Sequence, residues 1–189
     1  MIDNLYSRLH TDSQIGIACL YADYKDQTNQ TLGNILGSFL HQLLTTAQVP
    51  IPVEVIEKLQ DIQYRRGKVG LEDNLHLLKI QLRQLQCAFI CIDAVDELEA
   101  TVRRQLLDVL KELGTFNIRL FFTGRHNIKS EVQRNFQVME RYKVEICASH
   151  QDIETFVRQQ IIKDPYSDML DETLVKDIVD AIVKKCQGI

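Results

Sequence analysis

The sequence predicts an α/β protein with a mostly parallel sheet. Three short apolar runs have the length of strands, and amphipathic helical segments separate them. These runs are Ile15–Tyr21, Cys87–Ile92 and Ile118–Thr123. The middle run is apolar throughout, which is typical of a strand that is covered on both faces. We therefore expect the three strands to be parallel neighbours, with Cys87–Ile92 in the middle.

The helices are predicted from apolar residues that recur at intervals of three and four. The clearest stripe covers residues 32–44, and Thr31 is the residue type expected at its N-cap. Other helices are predicted at 53–64, 71–86, 101–113, 129–135, 151–163 and 171–186, and a brief strand at Val144–Ile146. The alternation of strands and helices stops near Ser149, so a soft domain boundary is expected there.

The predicted sheet should form the core of the protein. Side chains of the second and third strands are expected to be largely buried, because their segments are almost wholly apolar. The expected core residues of these strands are Phe89, Ile90, Ile92, Leu120 and Phe122.

Composition excludes several classes of protein. The chain has 189 residues, of which 45% are hydrophobic and 25% charged, so global disorder is excluded. Its 22 basic and 26 acidic residues give a net charge of 22 − 26 = −4, which argues against binding nucleic acid through phosphate contacts. No apolar run approaches the roughly 18 residues of a membrane span. The first residues lack the basic and apolar regions of a signal peptide, so we expect a cytoplasmic protein with no membrane partner.

The five cysteines agree with an intracellular location. They are Cys19, Cys87, Cys91, Cys147 and Cys186. No two of them form the C-x-x-C pair of a zinc site, and most lie in apolar strand-like segments. We expect them to be reduced and to pack as small hydrophobic side chains.

The first candidate site residues follow the middle strand. Asp93 comes directly after four apolar residues, and Asp96 and Glu97 follow it. Ligands of parallel sheets bind beyond the carboxyl ends of the strands, and Mg²⁺ prefers hard oxygen ligands. Asp93 is therefore a candidate metal ligand, and Asp96 or Glu97 a candidate catalytic base for attack by water on a phosphoryl group. An equally simple interpretation is that these acids cap the next helix.

A second candidate group follows the third strand. Thr123 lies 123 − 93 = 30 residues beyond Asp93, a suitable length for one helix and one strand. A hydroxyl from Thr123 and a guanidinium from Arg125 should therefore reach the same edge of the sheet as the acids. Such an arginine can contact the γ-phosphate of a nucleotide. The alternative is a surface arginine that pairs with an aspartate or glutamate.

These two motifs together resemble the Walker B and sensor segments of a NACHT-type NTPase of the STAND class of signalling ATPases. The chain is most similar to the nephrocystin-like NACHT domains of large fungal proteins that carry ankyrin or WD repeats. Residues 92–97, Ile-Asp-Ala-Val-Asp-Glu, resemble the Asp-Ala-Leu-Asp-Glu of that family, and 123–125, Thr-Gly-Arg, resemble its Thr-Ser-Arg. Residues 19–27, 36–44 and 148–153 also have counterparts there. The resemblance implies a P-loop NTPase core at 1–148 and the start of a helical domain at 149–189.

The chain departs from that family in one important respect. A P-loop has the pattern G-x-x-x-x-G-K-[ST], and no window of the sequence fits it. Gly67-Lys68 is followed by Val69, and Ile62 stands where the first glycine is needed. We expect the chain to begin just after the P-loop, so that the core is truncated. The strand at Ile118–Thr123 would then be an edge of the sheet, which invites aggregation or the addition of a strand by a partner. We expect protein partners or self-association through the core.

The resemblance implies a nucleotide-dependent signalling switch that uses Mg²⁺ and ATP or GTP, with repeat domains C-terminal to it. Without a P-loop, we expect no ATPase activity and no tightly bound cofactor in this chain. Two alternatives stay open. One is a degenerate, non-catalytic interaction module. The other is an independent Mg²⁺-dependent phosphohydrolase, which would need further carboxylates, and Asp23 and Asp26 are its candidates.

Overall fold

The computed structural model describes residues 14–136, 144, 146, 149–165 and 170–186. The chain forms two compact units, Met1–Val138 and Met139–Ile189. In the first unit the elements are β1 (Ile15–Tyr21), α1 (Leu32–Thr46), α2 (Val53–Tyr64), α3 (Leu71–Gln84), β2 (Cys87–Asp93), α4 (Ala100–Leu113), β3 (Ile118–Phe122) and α5 (Lys129–Phe136). In the second unit they are α6 (His150–Lys163) and α7 (Glu172–Cys186). The expected boundary near Ser149 stays a prediction.

The three strands form one parallel sheet in the order β1-β2-β3, which confirms the predicted α/β fold. In the register of the sheet, Cys19 lies beside Cys91, and Cys91 lies beside Phe121. The carboxyl ends of the strands therefore meet at one edge, as the sequence predicted. Helices flank this sheet, so the architecture is consistent with a truncated P-loop-like core.

Helix α1 begins and packs as its sequence predicts. Thr31 is the N-cap, and its side chain accepts a hydrogen bond from the N–H of Asn34. Most of the apolar stripe of the helix is buried, and Leu36 and Phe39 are fully buried. Helix α3 ends at Gln84, two residues earlier than expected, because the chain is already extended at Leu85.

One face of the sheet forms the main core with α1, α3 and α4. Ile90 and Ile92 of β2 are fully buried there, as predicted. Phe89, Leu120 and Phe122 are half-buried, and Leu120 and Phe122 pack against the same core. Leu120 and Phe122 belong to β3, which ends the described sheet, and an edge strand has fewer neighbours than a central one.

The second unit is a pair of helices with a small core of its own. Val157 of α6 packs with Val179 and Val183 of α7, and four half-buried isoleucines surround them. Ser149 caps α6 in a capping box with Asp152. For the brief strand predicted at Val144–Ile146, the two end residues belong to neither helix nor strand, and Glu145 lies outside the described residues.

The cysteines of the sheet are free thiols, as expected. Cys91 is buried, and Cys19 beside it is half-buried. Burial and the neighbouring thiol of Cys91 raise the pKa of Cys19 to about 11. Both side chains therefore stay neutral at physiological pH, as expected for core packing. Cys147 lies outside the described residues, and so does the side chain of Cys186.

Among the described residues, no helix combines the length and the apolar character that a membrane span requires.

Candidate functional site

The candidate site lies where β2 and β3 end. Asp93 is the last residue of β2, and Thr123 directly follows the end of β3. The N–H of Thr123 donates to the carbonyl of Ile92 at 2.9 Å, and its own carbonyl accepts from Val95 at the same distance. The main chain thus fixes the two strand ends side by side, so the predicted juxtaposition of the acids with Thr123 is present.

Asp93 and Thr123 contact each other directly. The hydroxyl of Thr123 donates to Oδ1 of Asp93 and accepts from the N–H of Ala94 at 2.8 Å. Ala94 has φ 53° and ψ 45°, a left-handed conformation that costs free energy in a residue other than glycine. The hydroxyl bond to its N–H stabilises this turn. Asp93 itself is exposed, so its remaining carboxylate oxygen can accept a ligand.

Asp96 joins the loop after β2 to the loop after β3. Its Oδ1 accepts from the N–H of Arg125 at 3.1 Å, and its Oδ2 lies 3.6 Å from Nε of the same residue. Only 5% of the Asp96 side chain is exposed, against 79% of the Arg125 side chain. The carboxylate of Asp96 is therefore engaged and nearly enclosed, whereas the guanidinium of Arg125 is accessible.

Glu97 faces both Arg125 and the loop after β1. Its Oε1 lies 3.9 Å from Nη2 of Arg125, and its Oε2 accepts from the N–H of Tyr24 at 3.4 Å. These contacts are long, and about a quarter of the Glu97 side chain is exposed. Of the two acids in this turn, Glu97 is the one that water can approach.

The helix-capping interpretation of these acids is wrong, because a different residue caps α4. The side chain of Glu99 accepts from the N–H groups of Thr101 and Val102 at 2.8 and 3.1 Å. These two bonds hold the pKa of Glu99 below its usual value. The turn at residues 95–97 separates Asp93 and its neighbours from the helix start. Sequence analysis missed Glu99 because it placed the helix start at residue 101 and because glutamate is not among the residue types preferred at an N-cap.

Arg103 of α4 stabilises the turn after β2, a role that sequence analysis did not predict. Its Nη1 donates to the carbonyl of Leu98 at 3.1 Å and to that of Asp96 at 3.4 Å. Its Nε pairs with Glu131 of α5 at 3.0 Å. The guanidinium therefore holds the turn after β2 and ties it to the helix that follows the Arg125 loop.

The loop after β3 packs closely around Gly124, between Thr123 and Arg125. A Cβ on Gly124 would lie 2.8 Å from Cδ1 of Ile128 and 3.2 Å from Oδ1 of Asp96. This is the middle position of the Thr-Gly-Arg motif. A side chain at this position, such as the serine of the Thr-Ser-Arg motif that the loop resembles, would require the end of the Ile128 side chain to shift.

The acids of the loop after β1 do not extend the site. Asp23 accepts from the N–H of Lys25 at 2.9 Å, and Asp26 accepts from the side chain of Asn29 at 2.6 Å. Both act as turn residues. Across the part of the chain that the structure describes, no group of three or more His, Cys, Asp or Glu side chains is arranged to hold a metal ion. A metal bound at this site would therefore depend on Asp93 and on oxygens of its ligand.

Comparison with protein families identifies this part of the chain. The family described as Nephrocystin 3, N-terminal matches residues 1–125, which end at the arginine of the candidate site. Searches of curated proteins and of solved structures found no match. The matched region is 125 of 189 residues and includes all three strands, α1 to α4 and the whole site. The chain therefore belongs to the Nephrocystin 3, N-terminal family.

Proposed function

We propose that this chain is part of a nucleotide-dependent signalling switch of the NACHT type, and that it supplies the surface that faces the metal ion and the γ-phosphate. One observation carries the proposal. An exposed carboxylate at the end of the middle strand is hydrogen-bonded to a hydroxyl of the next strand, and an accessible arginine follows two residues later. Carboxylate, hydroxyl and guanidinium together suit a magnesium–phosphate ligand.

Each residue has a distinct role in this proposal. Asp93 would hold Mg²⁺, directly or through water, because its free oxygen is exposed and Mg²⁺ prefers oxygen ligands. Arg125 would contact the terminal phosphate, after exchanging its long ion pairs with Asp96 and Glu97 for that ligand. Thr123 orients Asp93 through its hydroxyl.

The general base is better assigned to Glu97 than to Asp96. The Asp96 carboxylate already accepts from the Arg125 main chain and is nearly enclosed. Glu97 makes only long contacts and is more accessible to water. In this proposal Asp96 is a positioning residue that holds the Arg125 loop, and Glu97 accepts the proton of the attacking water.

The chain alone should bind nucleotide weakly. In nucleotide-binding proteins of this kind, the main-chain N–H groups and the lysine of the P-loop make many of the contacts to phosphate. The sequence contains no segment that fits the P-loop pattern G-x-x-x-x-G-K-[ST]. Each charge-assisted hydrogen bond to the nucleotide contributes about 1.5–3 kcal/mol. Binding also costs at least about 4 kcal/mol in lost translational and rotational freedom, so a few such bonds give only weak affinity.

Calorimetry of the 189-residue chain with Mg·ATP tests this expectation. We predict a dissociation constant no lower than the millimolar range, and no hydrolysis. A micromolar constant that disappears with EDTA would contradict the prediction. It would favour the alternative of an independent Mg²⁺-dependent phosphohydrolase.

A positive test uses the same residues in a form extended at the N-terminus through a GKS or GKT segment. In that form, Asp93→Asn should weaken Mg²⁺-dependent nucleotide binding. Glu97→Gln should preserve binding and stop turnover, because the amide cannot accept the proton. If Asp93→Asn leaves Mg²⁺-dependent binding unchanged, the assignment of Asp93 as the metal ligand is wrong.

A second candidate function is a protein-interaction module. It is favoured by the difference between the two outer strands of the described sheet. Side chains of α1 form hydrogen bonds with the outward-facing main-chain N–H and carbonyl groups of β1. Among the described residues, no strand and no side chain forms such hydrogen bonds with the outward-facing main-chain groups of Leu120 and Phe122 in β3. An exposed strand edge is a common site for adding a strand from a partner.

A further inference from the structure

A buried glutamine holds the loop after β1. Gln30 stands directly before the N-cap of α1 and is only 9% exposed. Its side-chain carbonyl accepts from the N–H of Asp23 at 3.1 Å, and its side-chain NH₂ donates to the carbonyl of Asp23 at 2.6 Å. Because both ends of this buried amide are bonded, release of Asp23 would leave polar groups unpaired, which costs free energy. The main chain at Asp23 is therefore fixed relative to the start of α1.

Tyr24 follows Asp23 in this loop, and its main chain reaches the candidate site. The N–H of Tyr24 donates to Oε2 of Glu97 at 3.4 Å. Asp23 caps the short turn that begins at Tyr24, because its side chain accepts from the N–H of Lys25 at 2.9 Å. The direction of the Tyr24 N–H therefore depends on the main chain that Gln30 holds.

Glu97 is restrained by two loops. Its Oε1 lies 3.9 Å from Nη2 of Arg125, and its Oε2 accepts from Tyr24. In the proposed function Arg125 turns to the terminal phosphate, so its ion pair with Glu97 is lost when nucleotide binds. Among the described residues, the N–H of Tyr24 is then the one hydrogen-bond partner that the Glu97 carboxylate keeps.

We propose that Gln30 is a positioning residue of the candidate site, which acts on the carboxylate of Glu97 through the N–H of Tyr24. This inference rests on the proposed function, in which Glu97 accepts the proton of the attacking water. A general base must lie within hydrogen-bond reach of the proton that it accepts. A restraint that does not involve Arg125 therefore matters once the arginine has turned to the phosphate.

The chain offers a matched control for this role. Gln42 of α1 makes the same pair of hydrogen bonds to the main chain of Cys19, at 2.8 and 2.9 Å. Cys19 lies inside β1, four residues before Asp23, so loss of these bonds should weaken the strand edge and leave the loop in place. Methionine at either position keeps a side chain of similar size and removes the hydrogen bonds. A purely structural contribution should therefore appear equally in Gln30→Met and Gln42→Met.

Amide NMR spectra of the full chain without nucleotide measure the contact between Tyr24 and Glu97. In the wild-type background, Glu97→Ala should move the amide proton of Tyr24 upfield, because the proton loses the carboxylate that deshields it. The amide of Lys25 bonds within its own turn and is the internal control. In the Gln30→Met background, Glu97→Ala should move the Tyr24 signal by about two-fold less, or not at all. In the Gln42→Met background the shift should keep its full size.

Three results would overturn the proposal. An unchanged Tyr24 signal in Glu97→Ala would show that the two residues are not in contact. A full shift in the Gln30→Met background would show that other contacts hold the loop. An equal loss in the Gln42→Met background would show that general weakening of the strand edge explains the effect. Circular dichroism checks that each variant is folded.

These spectra involve no nucleotide, so they test the role of Gln30 separately from the proposed function. A Tyr24 contact that depends on Gln30 supports the inference. If Glu97→Gln nevertheless leaves turnover of the N-terminally extended form intact, the proposed function is wrong about the base, while the link from Gln30 to Glu97 stands.

Exchange of side-chain amide protons provides a measurement that needs no variant of Gln30. The NH₂ group of Gln30 should exchange at least about ten-fold more slowly than that of the exposed Gln60, because a hydrogen-bonded amide exchanges only when it opens. Equal exchange rates for the two groups would show that Gln30 does not hold Asp23. That result would overturn the proposal even if Gln30→Met failed to fold.

Discussion

At the scale of residues, the carboxylate of Asp96 has two possible roles that stability measurements can separate. It is nearly enclosed, and it accepts from the main chain of the loop after β3. Asp93, three residues earlier, is exposed and bonds only to the hydroxyl of Thr123 among the contacts resolved for its side chain. Both acids bond to the segment that follows β3, but only the carboxylate of Asp96 is nearly enclosed and accepts from the main chain there.

Asp96→Ala should therefore lower the free energy of unfolding, while Asp93→Ala should not. Removal of the Asp96 carboxylate leaves the Arg125 N–H without its acceptor, which costs about 1–3 kcal/mol. Asp93→Ala is the matched control and should change stability by less than about 0.5 kcal/mol, as is usual for exposed positions. Urea denaturation followed by circular dichroism measures both. Equal stability of the Asp96→Ala variant and the wild type would remove the positioning role and favour Asp96 as a catalytic residue.

The sequence predicted which residues would meet at the site but not what each would contact. Asp93, Thr123 and Arg125 could be brought together from strand order alone, because parallel strands end at one edge. The burial of Asp96 depends on the left-handed turn at Ala94, which no local sequence preference favours in an alanine. The contacts of Arg103 with the turn after β2 and with Glu131 depend on the position of α5, which the sequence pattern does not predict.

At the scale of elements, α1 does more than contribute an apolar face. Gln42 and Thr46 are four residues apart, which is about 6 Å along a helix, and Cys19 and Ile17 are two residues apart, which is about 6.6 Å along a strand. The two spacings nearly match, so side chains one helical turn apart can bond to successive outward positions of β1. The pattern of apolar residues predicted the helix over residues 32–44 but did not predict the contact of Gln42, and Thr46 lies beyond the predicted end of the helix.

Adjacent threonines in α1 allow a controlled test of this edge. Thr46→Val removes the hydroxyl that bridges the main chain of Ile17, and it leaves two partly buried groups unpaired. We expect a loss of about 1–3 kcal/mol in the free energy of unfolding. Thr45→Val is the same substitution one position earlier, where the hydroxyl bonds only to carbonyls of its own helix, and it should cost less than about 0.5 kcal/mol. Chemical denaturation compares the two, and similar losses for both would show that the edge bonds contribute little.

At the scale of the whole molecule, the two units differ greatly in the size of their cores. The first unit buries residues of β1, β2 and α1 to α4 in one cluster, with half-buried residues of β3 and α5 packed against it, whereas the second has three buried valines and four half-buried isoleucines. Small cores give marginal stability, because less of the surface is removed from water. Local unfolding free energies usually follow this difference. We therefore expect the α6–α7 pair to open at a lower free energy than the sheet.

A substitution in α7 tests whether the two units unfold separately. Val179 is 2% exposed, and Val179→Ala should cost about 1.6 kcal/mol if about two CH₂ equivalents of burial are lost. Leu174→Ala in the same helix is the control, because Leu174 is 45% exposed.

Hydrogen exchange with mass spectrometry should show about ten-fold faster exchange in α6 and α7 of the Val179→Ala variant, since about 1.4 kcal/mol corresponds to a factor of ten. Exchange in β2 should be unchanged, because its protection depends on the sheet and on the helices that cover it. Leu174→Ala should leave both regions close to the wild type. If β2 and α7 both exchange faster by the same factor in the Val179→Ala variant, the two units unfold together as one cooperative unit. The two hydrophobic clusters would then not differ in their free energies of unfolding.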